Sequence, residues 1–225
     1  QVLEMMGVKL AVNGETQTQC LDQAGLCFCF APAHHPAMKH VMPVRRELGF
    51  RTIFNVLGPL TNPAGAKRQV MGVFAAGLTE PLARVLKNLG AEHAMVVHGL
   101  LNDQQGLDEL ITSGPSQISQ LKRGEVTTYR LEPDKLGIKP GNPSELIVDG
   151  PEQSAKVIQQ VLSGKIGHPR DIVCLNAAAA LVVADLVLDL HEGITAAQEA
   201  IDTGAAQNVL NKLIEITQAD STPVT

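Results

Sequence analysis

Hydrophobic residues follow two rhythms along this chain, and the change from one to the other marks its organisation. Short apolar runs occupy residues 26–30 (LCFCF), 69–74 (QVMGVF) and 94–98 (AMVVH), each of strand length, and they read as strands buried on both faces of a parallel sheet. Between the last two, Leu82, Val85, Leu86 and Leu89 recur at helical spacing, with Thr79 placed to cap and Gly90 to stop the helix. Strand, helix and strand in that order predict a βαβ unit with a right-handed crossover. Residues 117–121 and 125–131 flank Arg123-Gly124, and the second of these segments alternates side to side, so an antiparallel hairpin is expected there. The prolines and glycines of residues 135–145 make a loop.

Helical spacing then dominates. Ser154, Val157, Ile158, Val161 and Leu162 lie on one face of a helix over 151–162 that is expected to pack on the sheet. Residues 169–190 are apolar nearly all round through CLNAAAALVVADLVL and predict a central buried helix, in which Asn176 must find partners or cost about 1 to 3 kcal/mol. Satisfaction of nearby backbone is the favoured role for Asn176 over ligand contact. Thr195 and Gln198 have the spacing of a capping box for the next helix, Gly204 ends it, and residues 205–216 supply the last one. At the other end, Val2, Leu3, Met5 and Met6 read as the closing turns of a helix stopped at Gly7, with no cap before them. Gln1 stands where an initiator Met would, so a fragment or processed product is expected.

Composition narrows the class. The 225 residues suffice for a sizeable core, and 44% hydrophobic with 18% charged residues is the balance of a soluble globular chain. Eighteen basic residues against 23 acidic ones leave a net charge of −5, which argues against a nucleic-acid partner and makes any anion site local. Cys20, Cys27, Cys29 and Cys174 form no CxxC pair and read as reduced core residues, which suits a cytoplasmic protein. Asp185 and Asp189 interrupt the longest apolar stretch, so no membrane partner is expected.

Two stretches carry candidate chemistry. Residues 34–63 hold a His pair, Arg45, Arg46 and Arg51, and the Gly58-Pro59 turn, with few acids. Arg45 and Arg46 stand about 100° apart on a helix, so one can face a cleft while the other meets solvent. Pro36 can open that helix, Pro43 kink it and Gly49 close it. The stretch is an anion-site candidate; the alternative is a surface helix with solvated arginines. The second stretch is the loop 99–109, at the carboxyl end of the third strand, where open α/β sheets take their ligands. Asp108 and Glu109 there are either functional or ordinary loop acids. GxGxxG, GxxxxGK[ST] and HExxH are all absent from the sequence, and no Ser, His and acid set stands out.

The residues FAPAHHPAMKHVMPVRRELGFRTIFNVLGPLTNP, with VHG at 97–99, GLDEL at 106–110, LNAAAAL at 175–181 and AIDTGAA at 200–206, resemble anthranilate phosphoribosyltransferase, over essentially the whole chain and in order. The resemblance implies an α/β fold, a mostly parallel mixed sheet flanked by helices as in nucleoside phosphorylases and phosphoribosyltransferases, with remnants of a small helical domain. Residues 1–225 would form the large domain, with 36–57 contributing to the small one. It also implies transfer of a phosphoribosyl group from phosphoribosyl pyrophosphate to anthranilate with Mg²⁺, as a homodimer when full length. Carried over, Arg45 holds the anthranilate carboxylate, Gly58 and Pro59 line its pocket, His35 stands near the entrance, and Asp108 and Glu109 bind metal. No residue is expected as an indispensable catalytic base; His34, His35, His40 and His98 orient or pack, and His93, His168 and His191 are structural.

The family's GTGGD and KHGNR segments, which cradle phosphate and face the anthranilate, are absent here. The expectation is that this polypeptide alone is inactive and that apolar faces at 1–6 and 36–57 are left partly uncovered, inviting self-association. Two other readings stand beside it: a pyrimidine nucleoside phosphorylase-like enzyme, which would use phosphate as nucleophile, and a non-catalytic nucleic-acid-binding relative, which would need a basic surface.

Overall fold

A computed structural model describes residues 1–34, 47, 54–102 and 105–221. The elements run α1 (Val2–Met5), α2 (Gly14–Gln19), α3 (Ala31–His34), α4 (Phe54–Leu57), β1 (Arg68–Gly72), α5 (Thr79–Asn88), β2 (His93–Leu100), β3 (Gly106–Leu107), β4 (Ser116–Lys122), β5 (Glu125–Leu131), α6 (Pro151–Leu162), α7 (His168–Val183), α8 (Leu190–Asp202) and α9 (Ala205–Ala219). They fall into two compact units, one of residues 1–63, 148–163 and 201–225, the other of 64–147 and 164–200.

The second unit holds the sheet, ordered β1-β2-β4-β5 with β3 paired to β2. β1 runs parallel to β2, joined through α5, so the βαβ unit is present as the hydrophobic runs foretold. The sheet is mixed and flanked by helices, but the expected parallel majority is corrected: β2–β3, β2–β4 and β4–β5 are antiparallel. The reason is local. At Arg123 and Gly124, φ is 52° and 80°, the left-handed pair that a two-residue hairpin turn requires, and it folds β5 straight back on β4. Every residue of β2 from His93 to Gly99 is buried, so both its faces are covered, and α5 and α7 pack against it. α5 buries Thr79, Leu82, Ala83 and Leu86, one residue round from the expected stripe, leaving Val85 and Leu89 outward. Thr79 does not cap it; its hydroxyl donates to the Ala76 carbonyl at 2.9 Å.

α7 is the buried apolar helix, but it stops at Val183 rather than near Leu190, because Asp185 turns left-handed with φ 56°. α8 then starts six residues earlier than the Thr195/Gln198 box implies. Asp189 Oδ1 accepts from the Glu192 amide at 3.0 Å and Glu192 Oε2 accepts from the Leu188 amide at 2.9 Å, so the working box is Asp189 with Glu192, and the Thr195 hydroxyl bonds back to His191 O.

The first unit is helical. Val8, Cys20, Ala24, Leu213 and Ile216 form its core, with Leu3, Leu10, Cys27, Leu210 and Ile214 packed around it. Gly7, at φ 94°, ends α1 as expected. α6 has its expected bounds, yet it belongs to this unit and contacts α1 instead of covering the sheet. Residues 26–30 are not a strand. They carry no regular structure; the Phe28 and Phe30 rings lie 6.5 Å apart between centres and the Cys27 and Cys29 sulfurs 3.8 Å apart, and among the described residues no strand pairs with them. Leu26 and Phe28 are exposed. All four cysteines are free thiols; Cys20 and Cys174 are buried as core residues, whereas Cys27 and Cys29 are only half-buried, and burial with the Cys29 hydrogen bond pushes the Cys27 thiol up to about 11. Among the described residues no helix is long and apolar enough to cross a membrane.

Candidate active site

The acid loop is built by glycines in the strands beside it. A Cβ placed on Gly72, the last residue of β1, would lie 1.6 Å from the Asp108 carbonyl oxygen, and one on Gly99 of β2 would lie 2.8 Å from the Glu109 carbonyl oxygen. The main chain of the pair therefore rests directly on the carboxyl ends of the two parallel strands, a closeness only glycine permits. A third glycine, Gly106, leaves room for the His98 ring; its Cβ would fall 2.3 Å from Nε2. His98 is buried, and its Nδ1–H donates to the Val73 carbonyl at 2.7 Å, so it packs and orients as expected.

The chain bends at both Asp108 and Glu109. Neighbours on a straight strand face opposite ways, but neither acid sits on one, and both side chains are exposed. Partial burial first, and the Asp108 carboxylate second, push the Glu109 carboxyl above its ordinary range. Beyond the pair, the Leu110 amide donates to Asn176 Oδ1 at 3.0 Å, and Asn176 Nδ2 donates to Leu110 O at 2.8 Å and to Ile172 O at 3.0 Å. Asn176 thus satisfies backbone, the role its place in an apolar helix suggests. The Ile111 amide is held by Ser116 Oγ at 3.1 Å.

Among the described residues no group of three His, Cys, Asp or Glu gathers into a metal cage. Two adjacent carboxylates fit Mg²⁺ all the same, since that ion takes few protein oxygens and completes its shell with water and substrate phosphate.

Of the other predicted site residues, Gly58 and Pro59 lie exposed in a 3₁₀ turn, Gly58–Leu60, that follows α4, with the Thr61 hydroxyl donating to Gly58 O at 3.1 Å. His35 and Arg45 lie outside the described residues, as do Arg46, Arg51, His40 and the helix expected between Pro36 and Gly49, except for Glu47. His34 Nε2 meets the Gln17 side-chain amide at 3.1 Å. The seats at Gly72 and Gly99 were missed by sequence reasoning; a glycine inside a strand pattern was the signal that could have found them.

The acid pair lies beyond the carboxyl ends of a parallel strand pair, the place where open α/β sheets take their ligands. The family described as glycosyl transferase family, a/b domain, matches residues 1–207, and this chain belongs to it. It is 50% identical over 216 residues to anthranilate phosphoribosyltransferase of Phenylobacterium zucineum and 51% identical over 216 residues to that of Laribacter hongkongensis, each alignment covering 96% of this chain. The chain spans 63% and 62% of the lengths of those two relatives. Among solved structures, the Thermus thermophilus anthranilate phosphoribosyltransferase superposes with TM-score 0.88 at 38% identity, over 97% of this chain and 64% of that one. The Saccharomyces cerevisiae enzyme in complex with PRPP and Mg gives 0.85 at 28%, over 97% of this chain and 62% of that one.

Proposed function

We propose that this chain is the larger part of an anthranilate phosphoribosyltransferase, supplying the metal-binding acids and the anthranilate pocket for transfer of a phosphoribosyl group from phosphoribosyl pyrophosphate. The observation that carries the reading is the acid pair Asp108-Glu109 held by backbone on the carboxyl ends of β1 and β2. It gains support from the relatives that bear that name and from the yeast enzyme's complex with PRPP and Mg.

In the reaction the amine nitrogen of anthranilate forms a bond to the ribose C1 as the bond from C1 to the pyrophosphate oxygen breaks, pyrophosphate leaves with the electron pair, and the amine's surplus proton passes to solvent. Positive charge develops on the sugar and negative charge on the leaving group, so alignment and charge neutralisation supply the acceleration. Asp108 and Glu109 would hold the Mg²⁺, whose chemistry there is neutralisation of the departing diphosphate. Arg45 would hold the anthranilate carboxylate through two parallel charge-assisted hydrogen bonds, with Gly58 and Pro59 lining that pocket and His35 near its entrance. No protein base is assigned. The complete enzyme is read as a cytoplasmic homodimer, and the 225-residue chain by itself as inactive.

The test is loss of anthranilate fluorescence with phosphoribosyl pyrophosphate and Mg²⁺, in the family-length enzyme carrying this sequence. Turnover is expected, with Arg45→Lys lowering kcat/KM for anthranilate about 10²-fold or more. Phosphorolysis of thymidine in place of anthranilate turnover, or tight DNA binding at physiological salt, would overturn the assignment. Turnover by the 225-residue chain alone at the family-length rate would overturn its inactive reading.

A further inference from the structure

We propose that Asn176 is a positioning residue for the acid pair, and that its carboxamide sets the affinity of the site for Mg²⁺ and the diphosphate. The proposal rests on the metal-binding reading of Asp108 and Glu109 given above.

Asn176 lies on α7 between Leu175 and Ala177, a polar residue in an otherwise apolar stretch. Its side chain does what a neighbouring strand would do: it accepts from the amide and donates to the carbonyl of one residue, Leu110, at 3.0 and 2.8 Å. Leu110 directly follows Glu109, and its side chain is fully buried. The third bond, from Nδ2 to Ile172 O at 3.0 Å, uses the carbonyl one turn back on the same helix and so fixes the rotamer of the amide. The acid pair is therefore bracketed. The Asp108 carbonyl rests on Gly72, the Glu109 carbonyl on Gly99, and the next residue is clamped on both its polar atoms to a buried helix.

A bracket of this kind holds the main chain of two adjacent carboxylates in one place, so that both side chains leave the loop from fixed points. Released from it, the loop can swing the carboxylates apart, and a divalent ion then has to draw them back. A residue serving stability alone would change melting without favouring one substrate over the other.

The variants are Asn176→Ala, which removes the clamp, and Asn176→Asp, which keeps the shape and the acceptor but sets a carboxylate oxygen against the Leu110 carbonyl. In the 225-residue chain, hydrogen exchange of the peptide covering residues 106–111 is expected to quicken about ten-fold in both, with the β4–β5 hairpin unchanged. In the family-length enzyme, the Mg²⁺ concentration for half-activation and the KM for phosphoribosyl pyrophosphate should rise together by about ten-fold or more, with the KM for anthranilate held within about two-fold. Unaltered exchange at 106–111, or equal increases in both substrate KM values, would overturn the proposal. An Asp108→Asn control separates the two layers: if it leaves the Mg²⁺ midpoint where it was, the metal reading fails, and the clamp alone is judged by exchange.

Discussion

The β1–β2 pair carries a polar cluster at each end, and the two clusters are built on opposite plans. At the amino end, Arg68 donates to Asp185 Oδ2 and, at 3.1 Å, to Val183 O, while Lys122 lies 3.9 Å from the same carboxylate. The Tyr129 hydroxyl donates to Gln120 Oε1, which turns the Gln120 amide toward His93 Nε2 at 2.9 Å and leaves His93 Nδ1–H to donate to Asp185 Oδ1 at 3.2 Å. Side chains there satisfy side chains, and opposite charges meet. At the carboxyl end, two like charges sit side by side and are held by their backbone, through Gly72, Gly99 and Asn176. A cluster that neutralises itself stabilises the fold, whereas one that keeps its charges unspent is left with something to bind.

The strongest way to break this contrast is to fill a seat. Gly72→Ala drives a methyl into the Asp108 main-chain carbonyl, which no rotamer change relieves. The expected loss is about 1 to 3 kcal/mol or more in urea unfolding of the chain. It should come with faster exchange at residues 106–111 and an unchanged amino end.

Next in size is the amino-end cluster, where Asp185→Ala strips Arg68 and His93 of their shared acceptor. The hydrogen bond from Arg68, followed by the charges around it, holds the Asp185 carboxyl below its ordinary range, so its stabilising effect is complete above about pH 4 and is lost as pH falls through the depressed value. Burial first, and Lys122 second, hold the His93 imidazole below its ordinary range as well. The unfolded chain therefore takes up a proton at His93 before the folded chain does, and stability also falls as pH drops below about 6.5. Melting of the parent should decline in two stages from pH 7 to pH 3, and the variant should lose the more acid stage. Metal-dependent turnover at pH 7 should be little affected.

What was legible in the sequence follows the same division between local and distant causes. The hairpin at Arg123-Gly124, the βαβ rhythm, the bounds of α6 and the stops at Gly7, Gly90 and Gly204 are all specified within a few neighbouring residues, and each is found. The apolar alternation of residues 26–30 fitted a strand but could not supply a partner for one. The stripe on α6 specified a buried face but not whether α1 or the sheet would cover it. Thr195 and Asp189 both open cap-like spacings, and the φ of 56° at Asp185, which fixes where α7 ends, decides for the earlier one. In the site, the acids were visible from their motif and position. Their seats were not, because Gly72 and Asp108 are separated by the whole βαβ unit, and only folding shows that one lies against the other.

The smallest effect sharpens the comparison most, because it changes sign between the two ends. Glu109→Gln removes a carboxylate that the fold disfavours, since its raised pKa makes the charged form costly above the ordinary carboxylate range and cheaper to hold as pH falls through the shifted value. The group is exposed, so screening by solvent limits the gain to about 0.5 kcal/mol at pH 7, read as a higher urea midpoint. The gain should shrink as pH falls through the raised value and be gone below the ordinary carboxylate range, where folded and unfolded chains both hold the proton. In the family-length enzyme the same variant should need more Mg²⁺ for half-activation, so stability and metal affinity move in opposite directions. Asp185→Ala should show the reverse pairing, a less stable chain with its Mg²⁺ midpoint unmoved. If Glu109→Gln instead lowers stability at pH 7, the carboxyl-end cluster is a structural network like its counterpart, and the contrast between paired and unspent charge fails.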